Sequence, residues 1–206
     1  MRTLTKQMQQ NISPDQAIQL LKEGNNRFLG NLKLNRNLLQ QINETTDGQH
    51  PFAVIISCMD SRTSAELIFD QGLGDIFSIR IAGNVINEDI LGSTEFGCKV
   101  VGAKVVVVLG HTACGAIKGA IDNVDLGHLH FITHKIQRCI PRVKSTDKFI
   151  SPSDLVANVT KENVIQGVQD LRSRSSILEE LEYTKQIKIV GGVYDISSGE
   201  VTFLDA

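Results

Sequence analysis

Apolar residues are concentrated in short, mostly apolar runs at residues 52–57 and 104–109, with a mixed run at 75–81 between them. Runs of this length predict strands, and the most apolar ones predict strands that are buried on both faces. Segments with helical spacing of apolar residues separate the runs. This alternation predicts an α/β fold in which a mainly parallel central sheet is flanked by helices on both faces.

The beginning of the chain has the pattern of a helix at residues 13–29. Ser13 is a suitable N-cap, Pro14 takes the first helical position, and Gln16 is placed for a capping box. The apolar stripe of this helix needs a partner surface, and a neighbouring subunit would suit it. We predict an N-terminal helical arm at residues 1–48.

The rest of the chain, residues 52–206, is predicted to be the α/β core of a single domain that spans residues 1–206. Residues 186–205 alternate between apolar and polar positions around the turn sequence ISSG, which predicts a C-terminal β-hairpin. The chain shows neither an internal repeat nor a low-complexity tract, so nothing indicates a second unit.

Helix boundaries inside the core follow from capping residues and turn-rich stretches. Residues 82–92 are expected to form a loop, with Ser93 as the N-cap of the next helix. Residues 142–154 are expected to form a second loop. A long helix should then start at Ser153 or Asp154 and continue to about residue 182.

Composition narrows the classes of protein that fit. The chain has 206 residues and a net charge of −2, with 21 basic and 23 acidic residues spread along it. This even distribution of charge contains no basic patch of the kind that binds nucleic acid or a membrane surface. The N-terminal residues contain no apolar run, so a cytoplasmic protein is expected. Four cysteines in such a chain indicate reduced thiols or metal ligands, not disulfides.

Three residues with metal-binding side chains cluster at predicted strand ends. Cys58 and His111 lie at the carboxyl ends of two strands, where parallel sheets bind ligands. If these strands are neighbours, about 5 Å apart, both side chains reach one ion. Cys114 follows His111 by about one helical turn. These are zinc ligand types, but two ordinary buried thiols and a satisfied histidine fit the residues alone equally well.

Asp60 and Arg62 follow at alternating positions, so in an extended segment their side chains point the same way and can form an ion pair. A purely structural salt bridge explains this spacing as well. In a metal site, Arg62 would hold Asp60 ionised and oriented toward metal-bound hydroxide. Two thiolates and a neutral histidine cancel the charge of zinc, so activity should rise toward alkaline pH.

These residues belong to two motifs, C-x-D-S-R at 58–62 and H-x-x-C-G at 111–115, about fifty residues apart. In both motifs and in their spacing the chain resembles the β-class carbonic anhydrases. The similarity extends over about residues 12–206 and includes the segments GNNRF, GQHP, GDIFSIRIAGN and VGGVYDISSGEV.

The resemblance implies a zinc enzyme with one Zn²⁺ per chain. Its ligands would be Cys58, His111 and Cys114. Asp60 would pair with Arg62 as part of the catalytic machinery, or bind zinc as a fourth ligand in a closed state. The implied reaction is the reversible hydration of CO₂ to bicarbonate and a proton by zinc-bound hydroxide, which makes the protein a lyase.

The resemblance also implies the binding partners. Gln49 and the backbone N–H of Gly115 would contact CO₂ or bicarbonate. The chain would associate with itself as a dimer or tetramer, without nucleic acid or membrane. His128, His130 and His134 are expected to be surface residues, and each is a candidate proton shuttle because histidine titrates near neutral pH.

Two alternatives keep the fold but change the function. A similar zinc site could hydrolyse another small linear molecule such as CS₂ or COS. Alternatively, Asp60 could close the site permanently in a non-catalytic protein that zinc only stabilises. The second alternative gives no reason for Arg62, because a carboxylate bound to the metal does not need that partner.

Overall fold

The structure, a computed structural model, describes residues 3–146 and 149–204. Within these residues the centre is a five-stranded sheet with the strand order β2-β1-β3-β4-β5. Strands β1 to β4 are parallel, and β5 is antiparallel to β4. The strands are β1 (Ala53–Ser57), β2 (Ile76–Arg80), β3 (Val105–His111), β4 (Lys188–Tyr194) and β5 (Val201–Leu204). The predicted strands and the C-terminal hairpin are confirmed.

The register of the central strands determines what meets at the carboxyl edge of the sheet. Strand β1 lies between β2 and β3, and its last residue, Ser57, pairs with Leu109 of β3. Cys58 therefore leaves β1 beside the end of β3. Strand β3 continues through His111, two residues beyond the predicted apolar run.

Helices cover both faces of the sheet. The helices of the described residues are α1 (Lys6–Asn11), α2 (Pro14–Leu29), α3 (Leu38–Glu44), α4 (Ala65–Ile68), α5 (Glu88–Glu95), α6 (Gly115–Ile121), α7 (His130–Gln137), α8 (Ile140–Thr146), α9 (Pro152–Arg174) and α10 (Ser176–Tyr183). A π-helix, Phe96–Val101, continues α5, and short 3₁₀ segments lie at Ala82–Asn84 and Gly127–Leu129. No helix in the described part of the chain combines the length and the apolar composition that a bilayer crossing requires.

The core has two main layers because β1 and β3 are buried on both faces. Alternate residues of these strands pack with α9 and α10 on one face, where Val164 and Leu178 are fully buried. The other residues pack with α2 and α4, where Leu21 and Phe69 are fully buried. The chain is therefore an α/β protein with a mostly parallel sheet between helical layers, as predicted.

Helix α2 begins as predicted, but its apolar stripe has a different partner. Ser13 and Gln16 form the capping box. Ala17 and Leu21 pack against the sheet of their own chain, so this stripe is not free for a neighbour. The most exposed apolar side chains among the described residues of the N-terminal arm lie further on, at Leu32, Leu38, Leu39 and Ile42.

The predicted loop at 82–92 is wrong in its second half. Helix α5 begins at Glu88, and Asn87 is its N-cap, with the Asn87 side chain accepting from the N–H of Ile90 at 2.9 Å. Ser93 lies inside the helix and donates its hydroxyl to the carbonyl of Asp89. Asn and Ser are both good N-caps, and the acidic first turn of α5 favours the earlier start.

The segment predicted as a loop at 142–154 is partly helical. Helix α8 continues to Thr146, residues 147–148 lie outside the described residues, and Ser151 caps α9 in place of Ser153 or Asp154. The predicted long helix is broken at Ser175, which has an extended backbone and caps α10. The Ser175 hydroxyl donates to Glu95 at 2.5 Å, a tertiary contact that the local sequence does not reveal.

A buried ion-pair cluster joins the N-terminal arm to the core. The Asp70 carboxylate lies 2.6 Å from Arg27 Nε and 2.5 Å from Arg36 Nη1, and its side chain is 3% exposed. Burial raises the pKa of Asp70, but hydrogen bonds from both arginines outweigh it and bring the pKa below its ordinary value. Asp70 is thus a charged anchor for the arm, which sequence patterns did not single out.

We expect Asp70→Asn to lower the free energy of unfolding by about 3 kcal/mol at pH 7, because it leaves the guanidinium groups of Arg27 and Arg36, whose side chains are 27% and 8% exposed, without their counter-charge. The pKa of Asp70 is lower in the folded state, so its stabilising effect is present above the unfolded pKa. The difference between wild type and variant should therefore shrink as the pH falls below about 4. Urea unfolding of both proteins at pH 7 and below about pH 4 measures this difference in the free energy of unfolding.

Asp15→Asn is the matched control for this prediction. Asp15 also pairs with a cation, Lys188, but its side chain is 76% exposed. Exposed pairs contribute about 0–1 kcal/mol. Equal destabilisation by the two substitutions would contradict the role assigned to Asp70.

Candidate metal centre

Cys58, His111 and Cys114 converge at the carboxyl edge of the sheet. Their ligand atoms all lie within 4.8 Å of one another, and all three residues are buried. The two sulfur atoms are 4.0 Å apart. Two thiolates on one tetrahedral zinc, at bond lengths of about 2.3 Å, would be separated by about 3.8 Å. The spacing of the side chains therefore matches a shared metal ion.

The chain reverses direction between His111 and Cys114. His111 is the last residue of β3 and pairs with Tyr194 of β4. Ala113 has a left-handed backbone with φ 54°, and Cys114 is the N-cap of α6. The two ligands are thus brought together by a tight strand-to-helix turn, not by the single helical turn that their spacing suggested.

The His111 ring is oriented for metal binding. Its Nδ1 lies 2.9 Å from the carbonyl oxygen of Thr112, so Nδ1 carries the proton that it donates there. Its Nε2 is buried and has no hydrogen-bond partner among the described residues. A buried nitrogen lone pair without a partner is costly unless a ligand occupies it. Nε2 is therefore the atom presented to a metal.

The contact between the two thiols shifts their pKa values in opposite directions. The hydrogen bond from Cys114 is the main cause that lowers the pKa of Cys58 to about 4, against the effect of burial, and the His111 side chain and the N–H groups of Asp60 and Gly83 add to it. The same contact and burial raise the pKa of Cys114. A divalent cation between the two sulfur atoms would supply the charge that allows both thiols to ionise.

Asp60 and Arg62 form a bidentate ion pair beside the cluster. Arg62 Nε lies 2.9 Å from Asp60 Oδ1, and Arg62 Nη2 lies 2.7 Å from Oδ2. The segment is a turn and not extended as predicted, because Thr63 N–H donates to the Asp60 carbonyl at 3.0 Å. The Asp60 carboxylate also accepts from the Arg62 N–H. Local turn geometry thus fixes the pair.

The ion pair lowers the pKa of Asp60 and engages both oxygens of its carboxylate. The side-chain hydrogen bond from Arg62 holds the pKa of Asp60 well below its ordinary value, with a further contribution from the Arg62 backbone N–H. The group of residues that could hold a metal ion comprises Cys58, His111 and Cys114 and does not include Asp60. The alternative in which Asp60 permanently closes the site is not favoured by this arrangement.

Residues that sequence patterns missed support the loop that carries Cys58. Arg80, at the end of β2, donates to the Asp60 carbonyl at 2.5 Å and to the Cys58 carbonyl at 3.3 Å. The buried hydroxyl of Thr63 lies 2.9 Å from both carbonyls. Since β2 neighbours β1, the rule that parallel strand ends share one edge would have pointed to Arg80.

The structure separates the two predicted substrate contacts. Gly115 is the exposed first residue of α6, next to Cys114, and the space where a side chain would stand is open. Gln49 is exposed and precedes β1, whereas Cys58 follows it, so the two lie at opposite ends of a strand about 16 Å long. The role of Gln49 stays a prediction that one chain alone does not explain.

The remaining cysteines and histidines lie apart from the cluster. Cys98 and Cys139 are buried, and burial raises the pKa of Cys98 to about 12 and that of Cys139 to about 11, so both remain protonated. His128, His130 and His134 are exposed. All four cysteines of the chain are free.

The residues present fit a zinc ion. They offer two sulfur atoms and one imidazole nitrogen at suitable distances, which leaves a fourth tetrahedral position open. Closed structural zinc sites use four protein ligands, whereas catalytic sites use three. Fold and site together define an α/β protein with a catalytic type of zinc centre.

Comparisons with known proteins agree with this class. The family model described as Carbonic anhydrase matches residues 53–201. Carbonic anhydrase 2 of Mycobacterium tuberculosis is 35% identical over 207 residues, which covers 95% of this chain and 95% of that protein. The carbonic anhydrase of Mycolicibacterium smegmatis is 34% identical over 194 residues, 93% of each chain. The solved structure of the β-carbonic anhydrase CafA of Aspergillus fumigatus matches with a TM-score of 0.74 and 29% identity, over 80% of each chain.

The chain therefore belongs to the β-carbonic anhydrase family, as its two motifs predicted. This confirms the predicted fold class, the enzyme class and the zinc cofactor. Hydrolysis of CS₂ or COS is not favoured, since the matched relatives are named carbonic anhydrases.

Proposed function

We propose that this protein catalyses the reversible hydration of CO₂ to bicarbonate and a proton. The observation that carries the proposal is the open three-ligand cluster of Cys58, His111 and Cys114, beside a carboxylate that Arg62 keeps away from it. Membership of the carbonic anhydrase family supports the same reaction.

Each residue of the site has a distinct role in this proposal. Cys58 Sγ, His111 Nε2 and Cys114 Sγ hold the zinc ion. When bound, zinc acts as a Lewis acid that makes water a stronger acid and a better nucleophile at neutral pH. Asp60 is ionised from about pH 6.5 to 9, because its pKa lies well below this range. Its oxygens can accept a hydrogen bond from a hydroxyl group at the site. Arg62 fixes the direction of that acceptor.

Substrate binding is assigned to the surroundings of Cys114. The backbone N–H of Gly115 is at the first turn of α6, where N–H groups lack partners within the helix and suit an anionic oxygen of bicarbonate. Gln49 would reach a substrate only in the site of a second copy. We propose self-association through the exposed apolar residues of the arm, since Leu32 is 72% exposed and Leu39 is 74% exposed.

We also propose that the protein works in the cytoplasm. Its four cysteines are all free and buried. Cys58 and Cys114 would lose their function as metal ligands if they were oxidised to a disulfide. A reducing compartment protects such a pair of thiols.

We expect CO₂ hydration to increase as the pH rises from about 6.5 to 9, because two thiolate ligands leave zinc with little net charge to acidify water. Stopped-flow measurements over this range, with zinc determined on the same sample, test the reaction and the cofactor together. Removal of zinc by a chelator should abolish the activity, and re-addition should restore it. A protein that contains one zinc per chain but is inert at every pH would contradict the proposed function.

A further inference from the structure

The Cys58 sulfur has a backbone hydrogen-bond donor that comes from a separate turn. The N–H of Gly83 lies 3.4 Å from Cys58 Sγ in the buried interior, 25 residues further along the chain. This donor belongs to the 3₁₀ turn Ala82–Asn84, which follows β2. Hydrogen bonds to a ligand sulfur adjust its orientation and its donor strength toward a metal.

The turn that presents this donor has a left-handed backbone at two successive residues. Gly83 has φ 65°, and the next residue, Asn84, also has a left-handed backbone with φ 44°. Left-handed conformations are rare outside glycine and persist only when neighbouring structure holds them. A side chain on Gly83 would come within 2.7 Å of Ile136, so the turn is also tightly enclosed.

Asn163 of α9 holds this turn from the other side. Its Nδ2 donates to the Gly83 carbonyl oxygen at 2.9 Å, and the residue is 6% exposed. The two residues are 80 positions apart in sequence. The next residue of α9, Val164, packs closely on β3. A Cβ atom added at Gly110 would lie only 2.6 Å from the Val164 side chain. Helix α9 is thus packed tightly against β3 and hydrogen-bonded to the Gly83 turn.

We propose that Asn163 is a positioning residue of the zinc site, which holds the Gly83 turn so that its N–H remains hydrogen-bonded to the sulfur of Cys58. The proposal rests on the proposed function, because it requires Cys58 to be a zinc ligand. The Asn163 amide donates to the Gly83 carbonyl and not to Cys58, His111 or Cys114. Its contribution passes through one glycine residue, whose carbonyl it binds and whose N–H faces the sulfur.

The test uses zinc affinity, measured by competition with a chromogenic chelator, on Asn163→Leu and Asn163→Asp. Leucine is similar in size but cannot donate, and aspartate keeps the shape of asparagine but would face the Gly83 carbonyl with a second acceptor. We expect both variants to bind zinc about 10- to 100-fold more weakly than wild type. The thiolate-to-metal absorption of the Co²⁺-loaded protein should shift as well.

Gln166→Leu is the matched control. Gln166 is an amide one turn further along α9, and its Nε2 contacts Asp170 at 2.8 Å and not the Gly83 turn. This control should bind zinc like wild type. Zinc affinity within twofold of wild type in both Asn163 variants, or an equal loss in Gln166→Leu, would overturn the proposal. Failure of the wild-type protein to bind zinc would instead refute the proposed function, so the two failures are distinguishable.

Discussion

Single replacement of any zinc ligand, by Cys58→Ser, Cys114→Ser or His111→Ala, is expected to remove both zinc and CO₂ hydration. Protein zinc sites supply apparent binding free energies of about 10–16 kcal/mol, so the loss of one ligand should cost about 3 kcal/mol or more. That corresponds to at least about a hundredfold weaker binding. Zinc should then fall well below one ion per chain after dialysis, and activity should fall with it.

The matched control for the ligand variants is Cys98→Ser. It makes the same atomic change at another buried cysteine, which lies outside the cluster. This variant should keep one zinc per chain, even if the buried hydroxyl lowers stability. Loss of zinc in Cys98→Ser to the same extent as in Cys58→Ser would show that the losses reflect unfolding and not ligation.

Arg62→Ala is expected to lower CO₂ hydration by about a hundredfold or more, while zinc remains bound. Arg62 lowers the pKa of Asp60, but an unpaired aspartate, with a pKa near 4, is still ionised above pH 6.5. Protonation of Asp60 therefore does not explain the loss. The loss follows because the carboxylate is no longer held in direction, and contributions from positioned acid–base groups are about 10²–10⁴-fold.

Two further variants make this prediction specific. Arg142→Ala removes an arginine of similar exposure, 59% compared with 51%, which pairs with Glu162 at 2.8 Å and not with Asp60. It should retain full activity. Arg62→Lys should recover only part of the activity, since an ammonium cannot reproduce the bidentate geometry. If Arg62→Ala kept wild-type activity, Asp60 would need no partner, and the catalytic role of the pair would be wrong.

Several elements were predictable because their signals are local. The apolar runs at 52–57 and 104–109 predicted buried parallel strands, and Ser13 with Gln16 predicted the start of α2. Capping signals failed where two candidates competed, at Asn87 and Ser93. In such cases the first residue of the helix depends on tertiary packing as well as on the charges of the first turn. A pattern of residue types does not show the packing.

Helix ends that depend on distant residues were not predictable. Ser175 breaks the helix that the pattern continued to about residue 182, and its hydroxyl contacts Glu95, 80 residues away. The same holds for the arm, where the apolar stripe of α2 found its partner in its own sheet. Long-range contacts of this kind have no counterpart in local periodicity.

The sequence by itself determined the chemistry of the site. It specified two thiols, one imidazole and an Asp-x-Arg pair at the ends of predicted strands, and its two motifs identified the family and hence the zinc. Residue types and short spacings carry this information because ligand preference is a property of the side chain.

Only the tertiary structure decided which atoms meet. The pairing of β1 with β3 brings Cys58 next to residues that follow 53 and 56 positions later, and the left-handed backbone at Ala113 turns Cys114 toward them. The structure also places Asn163 of α9 against the Gly83 turn, 80 positions away in sequence. These arrangements depend on strand order and helix packing, which lower the free energy of the whole fold and leave no local trace in the sequence.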